Sequence, residues 1–289
     1  MAQVYAQVIA DLQAADSLIT STDKLGVGPN YVTKYGVEAM LAKVYFSKND
    51  FSNAEAYATK VINAGFTLND TLSNPSSQYS ITSVYNQLGA TTTPETIFQI
   101  INTAKSDASS GNLHGNFSAA PFGSTVPNFA MNGALAITVA NGIQPTVGDL
   151  RCTKLFKFFF SKYYCTKYAA LYSNTTVIRL AEMYLTRAEC EAQLGDEADA
   201  RSDYNKIRAR AGIPLDNSSA GAALITAIRA ERDLELAMEG DHYFEVKRRK
   251  GSFNTPGAGV LAWNAQTMIY PIPQQEVQEN KAMIQNPGY

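Results

Sequence analysis

Arg179-Leu-Ala-Glu-Met-Tyr-Leu-Thr-Arg-Ala-Glu-Cys190, then Ala200 and Asn205-Lys-Ile-Arg-Ala-Arg-Ala-Gly212 beyond a break at Gly195-Asp196, decides the fold. Small and apolar residues recur at helical spacing on both sides of the break, so Val177 to Ala211 reads as two antiparallel helices. A second stretch repeats the pattern. Val32 to Ala64, broken at Lys48-Asn49-Asp50, aligns Ala42 with Ala188, Asp50 with Asp196, Ala54 with Ala200 and Val61 with Ile207. The alanines fall where two helices must approach closely and the Asp falls in the turn, which is the logic of the tetratricopeptide unit. One such hairpin cannot bury its apolar face alone, so each must stack on other helices. Ser52 and Glu55 predict a capping box at the start of the second helix of the first hairpin.

Outward from the hairpins the sequence changes character. Val4 to Leu18 is a further amphipathic helix, and Ser21 to Asn30 a loop. Between the hairpins, residues 69–175 are rich in Ser, Thr, Asn and Gly, with few helical periods. Glu95-Thr-Ile-Phe-Gln-Ile-Ile101 has the β-branched content of a short strand, and Lys157 to Tyr172 is dense in aromatics and suggests a strand or hairpin. Long loops of this kind tend to carry function. After the second hairpin, Leu224 to Met238 and His242 to Lys250 read as helices separated by Gly240. Tyr270-Pro-Ile-Pro273 is an extended strap, because two prolines fix φ and remove donors. A short turn at Gln274 to Gln278 and Asn286-Pro-Gly-Tyr289 close the chain. The expected architecture is mainly α, with helical hairpins at about 32–64 and 177–211, a loop-rich insert at 69–175 carrying short strands, and C-terminal helices and strap at 222–289. All 289 residues are expected to form one domain.

Composition narrows the function. A net charge of −2 without any large Lys/Arg block argues against nucleic acid, whose phosphates need a concentrated basic face. No stretch is long and apolar enough to span a bilayer. Cys152, Cys165 and Cys190 form neither a disulfide framework nor a zinc site by spacing. Cys190 reads as a small core residue; a disulfide between Cys152 and Cys165 is left open. His114 and His242 have no partner spacing for a metal or a nucleophile–base pair, and no GxSxG, HExxH, phosphate-loop or dinucleotide fingerprint is present. No cofactor is called for. Arg232, Glu235 and Glu239 share one helix face, with Glu245 and Arg248 beyond; interleaved arginines suit a structural ion-pair network better than a poised acid.

The 179–212 hairpin, the run Glu231-Arg232, Glu235-Leu236, Glu239-Gly240 with Tyr243-Phe-Glu-Val-Lys-Arg248, and the ending Tyr270-Pro-Ile-Pro273 with Glu276, Asn280 and Gln285-Asn-Pro-Gly-Tyr289 resemble the SusD/RagB family. Asp11-Leu12, Ala42-Lys-Val-Tyr45, Glu95-Thr-Ile-Phe98 and Gly148-Asp-Leu-Arg151 fall in that family's order. His242 stands where the family commonly has Arg, and Arg249 where it commonly has Trp. The resemblance implies a surface-exposed outer-membrane lipoprotein that captures a glycan, or a peptide in RagB-like members. It would have no chemistry of its own and would hand its ligand to a SusC-like TonB-dependent transporter. Members begin with a lipoprotein signal, a lipid-bearing cysteine and further repeat helices. None of these is found in the 289 residues, so the expectation is a chain lacking the usual N-terminal portion or a shorter variant, with the lipid anchor outside it. The competing reading is a helical-repeat adaptor that binds another protein; a glycoside hydrolase ranks third.

A glycan ligand is held by flat rings under its C–H face and polar groups at its rim. No motif fixes the rings, so the candidates are Tyr163, Tyr164, Tyr168 and Tyr172, alternating or nearly so along the aromatic stretch, and Trp263, the sole Trp, in the Gly-rich run 251–266. For each the alternative is a packing role, and for Trp263 a ring wedged under a loop. The Asn/Ser/Thr-rich stretch 105–132 is a candidate for rim donors.

Overall fold

The structure is a computed structural model that describes residues 2–19, 31–72, 75–103, 113–117, 127–131, 133–255 and 259–289. The 21–30 loop and most of the rim stretch 105–132 lie outside the described residues. The chain forms two compact units, Met1–Met238 and Glu239–Tyr289.

The first unit opens with α1 (Ala2–Leu18), α2 (Lys34–Ser47) and α3 (Phe51–Asn63). After the insert come β4 (Thr175–Arg179), α7 (Leu180–Leu194), α8 (Glu197–Ala211) and α9 (Gly221–Glu235). α3 packs on α7, so the two hairpins bury each other's apolar faces. The residues paired by the repeat explain how. Ala42, Ala54, Val61, Ala188, Ala200 and Ile207 are all 0% exposed, because a methyl group at the crossing lets the helix axes close to packing distance. Asp50 and Asp196 are the N-cap residues of α3 and α8. The Asp50 carboxylate accepts from the Asn53 amide at 3.4 Å, so the cap lies two residues before the expected Ser52–Glu55 box. Gly195, at φ 98°, ends α7 in the left-handed conformation that glycine reaches without a Cβ penalty.

The second hairpin starts later than its spacing predicts. Thr175-Thr-Val-Ile178 is β-branched throughout and pairs as β4, antiparallel to β1 (Thr96–Ile100), before α7 begins at Leu180. The insert is also more regular than its composition suggests. It contains β1, α4 (Leu113–Phe117), α5 (Gly133–Gly142), α6 (Leu150–Lys154) and a hairpin of β2 (Phe156–Phe159) and β3 (Lys162–Cys165). Cys152, Leu155, Phe156 and Cys165 join Val139, Tyr85 and Leu234 in one buried cluster beneath that hairpin. All three cysteines are buried thiols, so Cys152 and Cys165 share this core without a disulfide between them. No helix among the described residues is long and apolar enough to cross a membrane.

In the second unit, α10 (Asp241–Arg248) follows Gly240, and His242 and Tyr243 lie against Phe253 of a hairpin formed by β5 (Ser252–Thr255) and β6 (Gly259–Ala262). The strap shows why its closing residues are these. Between Pro271 and Pro273 the sole backbone N–H is that of Ile272. It donates to the Gln285 side chain, which donates back to the Ile272 carbonyl, both at 2.8 Å. Asn286 Nδ2 donates to the Tyr270 carbonyl at 2.7 Å, and the Tyr289 hydroxyl to that of Ile269 at 2.9 Å. The strap's backbone groups thus bond to its own C-terminal residues, past the short α11 (Gln274–Glu279).

Candidate ligand-binding hairpin

The β2–β3 hairpin gathers two of the four candidate tyrosines. Its register pairs Phe156 with Cys165 and Phe158 with Tyr163 on one face, and Lys157 with Tyr164 and Phe159 with Lys162 on the other. Tyr163 is half-buried and stands against the Phe158 ring, centroids 5.0 Å apart. Tyr164, on the opposite face beside Phe159 at 6.4 Å, is 3% exposed. As placed it is a packing ring with no face open to a ligand.

The other candidates lie apart from the hairpin strands. Tyr168 is half-buried, with its hydroxyl donating to the Met238 carbonyl at 2.7 Å and its ring 5.7 Å from that of Phe117. Tyr172 is 38% exposed and has φ 58°, a backbone setting that side chains rarely adopt. Trp263 belongs to the second unit. It follows β6 in a turn, half-buried, with its amide bonded to the Gly251 carbonyl at 3.0 Å and the Lys250 ammonium 5.8 Å from its ring.

Two rings missed from the candidate set are the most exposed of the hairpin, Phe158 at 59% and Phe160 at 66%. The signal was present in Phe156-Lys-Phe-Phe-Phe-Ser-Lys-Tyr-Tyr164: an alternating strand, a two-residue turn and a strand back. That turn is Phe160-Ser161, with φ 43° and 62°. Two positive φ values in succession mark a type I′ turn, which ordinarily selects Asn-Gly.

The base of the hairpin is fixed by a buried ionic cluster. On its upstream side Asp149 caps α6 and accepts from Arg151 Nε at 3.0 Å and Nη2 at 2.7 Å, while Arg151 also meets Glu231 and Glu235 of α9. On its downstream side Lys167 donates to the carbonyls of Glu235 and Ala237, each at 2.9 Å. Arg179 at the end of β4 and Arg210 on α8 close on the same Glu235 and on Glu95, just before β1. Burial raises the Glu235 pKa, yet Arg210, Arg179, Arg151 and Lys167 outweigh it and hold the carboxyl well below its usual value. A carboxylate held ionised in this way has no proton to give as a general acid. In the second unit Glu245 is likewise engaged, by Arg248 and Arg249. Among the described residues no group of three or more His, Cys, Asp or Glu is placed to hold a metal ion.

The SusD family model matches residues 148–289, the region that holds this hairpin, β4, α7 to α9 and the strap. Over residues 148–289 the chain belongs to the SusD family. The starch-binding protein SusD of Bacteroides thetaiotaomicron is 32% identical to this SusD-family chain over 137 residues, which are 42% of it and 23% of that relative. A putative sugar-binding protein from Bacteroides vulgatus has the same fold, with a TM-score of 0.78 at 23% identity over 100% of this chain and 66% of that one. Surface glycan-binding protein A from Bacteroides uniformis matches at TM-score 0.74 and 22% identity, over 98% of this chain and 68% of that one. At these identities the solved structures speak for the fold alone. The alignments cover about a quarter of the curated relatives' own length.

Proposed function

We propose that this SusD-family chain binds an oligo- or polysaccharide at the bacterial cell surface, without breaking it, and presents it to a SusC-type TonB-dependent transporter. The observation that carries this reading is the β2–β3 hairpin. It displays Phe158, Phe160 and Tyr163 to solvent from a base clamped by Arg151 and Lys167. Rings held in place before the ligand arrives lose little entropy on binding, and a pyranose C–H face stacks on them. Tyr172, 38% exposed, is a further stacking group of the first unit, and Trp263 is a separate candidate within the second. The relative named for starch binding supports the ligand class. The location that goes with this role is the outer face of the outer membrane, held there by a lipid anchor.

Affinity gel electrophoresis against a polysaccharide panel tests the reading. Retardation by at least one glycan, reduced by Tyr163→Ala, is expected; retardation by none removes it. Incubation with the retarding glycan should leave its chain length unchanged.

A further inference from the structure

The hairpin carries charge as well as rings. From Leu150 to Ala181 the sequence has Arg151, Lys154, Lys157, Lys162, Lys167 and Arg179 and no Asp or Glu, in a chain whose net charge is −2. The two arginines and Lys167 turn inward to the buried cluster. Lys154, at the end of α6, and Lys162, at the start of β3, are exposed on the same segment as the rings; Lys162 lies on the face opposite Phe158 and Tyr163, next to the Phe160-Ser161 turn that presents the Phe160 ring.

We propose that the β2–β3 hairpin is a docking finger for an acidic polysaccharide, one bearing sulfate or uronate groups. Phe158, Phe160 and Tyr163 stack on sugar faces, and the ammonium groups of Lys154 and Lys162 pair with the anionic substituents. This rests on the glycan-binding reading above and names the ligand class it takes.

Two features point the same way. A neutral glycan is matched by rings and uncharged hydrogen-bonding groups, whereas repeated lysines without a carboxylate complement an anion. The turn keeps Phe160 and Ser161 at φ 43° and 62°, where Asn-Gly would sit without strain, and Phe160 there points a 66% exposed ring outward.

The test is titration calorimetry of the full chain with polygalacturonate and carrageenan against amylopectin and laminarin, at roughly 20 and roughly 300 mM NaCl. Two variants accompany it: Lys154→Gln/Lys162→Gln, and Phe160→Asn/Ser161→Gly, which keeps the turn and removes the ring. Acidic glycan should bind at low salt and lose about tenfold in affinity at high salt, with a loss of similar size in each variant at low salt. Binding of neutral glycan alone overturns the proposal while leaving the glycan-binding reading standing. Acidic-glycan binding that ignores both variants overturns it as well. So does binding of anionic phosphatidylglycerol vesicles with no glycan bound, an outcome that removes the glycan-binding reading too.

Discussion

Arg179 bonds Glu95 at 3.0 Å and also reaches Glu235, so one guanidinium joins two carboxylates that lie 84 and 56 residues away in sequence. With Arg151, Lys167 and Arg210 it ties the insert, β4, α8 and α9 to one point. Removing one partner from such a cluster leaves buried charge uncompensated. Glu235→Gln should therefore destabilise the chain by about 3–5 kcal/mol. The measurement is the midpoint of urea unfolding; a change within error would show that the cluster does not hold the insert.

A second cluster makes stability depend on pH. Burial, then the neighbouring Asp203, push Glu191 of α7 from 4.5 up to about 7, against the opposing pull of Arg187. The folded state thus holds this proton more tightly than the unfolded one. Its contribution is fully present below about pH 4.5 and is lost as pH rises through about 7. Unfolding free energy should decline across that window, and Glu191→Gln should flatten the decline. A wild-type profile identical to that of the variant would contradict the assignment.

At the hairpin crossings, volume is the sensitive quantity. Ala188 is 0% exposed and packs with Ala200, Leu224 and Ile228. Ala188→Leu adds three carbons where there is no space, at a cost of about 1–3 kcal/mol. Thermal unfolding checks this, and an unchanged melting temperature would mean the helices are looser than described.

The strained turn predicts the opposite sign. Phe160→Asn/Ser161→Gly supplies the residues that two consecutive positive φ values favour. A gain of up to about 1 kcal/mol in stability is expected. A loss would show that the exposed Phe160 ring packs on the fold.

The thiols should be silent. Cys152, Cys165 and Cys190 are each 0% exposed, and burial pushes the Cys152 thiol up to about 12. Ellman's reagent should label none of them in the native chain and all of them after unfolding. Rapid native labelling of Cys152 would contradict its placement in the core.

Much of the fold was legible because helical hairpins repeat a local rule. Ala42, Ala54, Ala188 and Ala200 sit at matching points of two units, and periodicity and size suffice to find them. β4 was not legible as a strand. Thr175 to Ile178 abuts the helix without a break, and only its pairing with β1, about 80 residues earlier, separates the two. The same distance hid the clamp: Arg232, Glu235 and Glu239 read as neighbours on one helix face, yet Glu235 takes its partners from β4, α6 and α8. For the candidate site, aromatic density located the hairpin. The choice among its rings needed the tertiary packing, which leaves Phe158 and Phe160 exposed and buries Tyr164.

We infer that this chain holds a glycan on exposed rings and leaves it intact. Titration calorimetry of the chain with a panel of polysaccharides, each recovered afterwards and sized, tests that claim most directly. Saturable binding to at least one glycan, weakened by Tyr163→Ala, is expected, with every polymer recovered at its starting length. Shortened polymer, or no heat with any member of the panel, would contradict it.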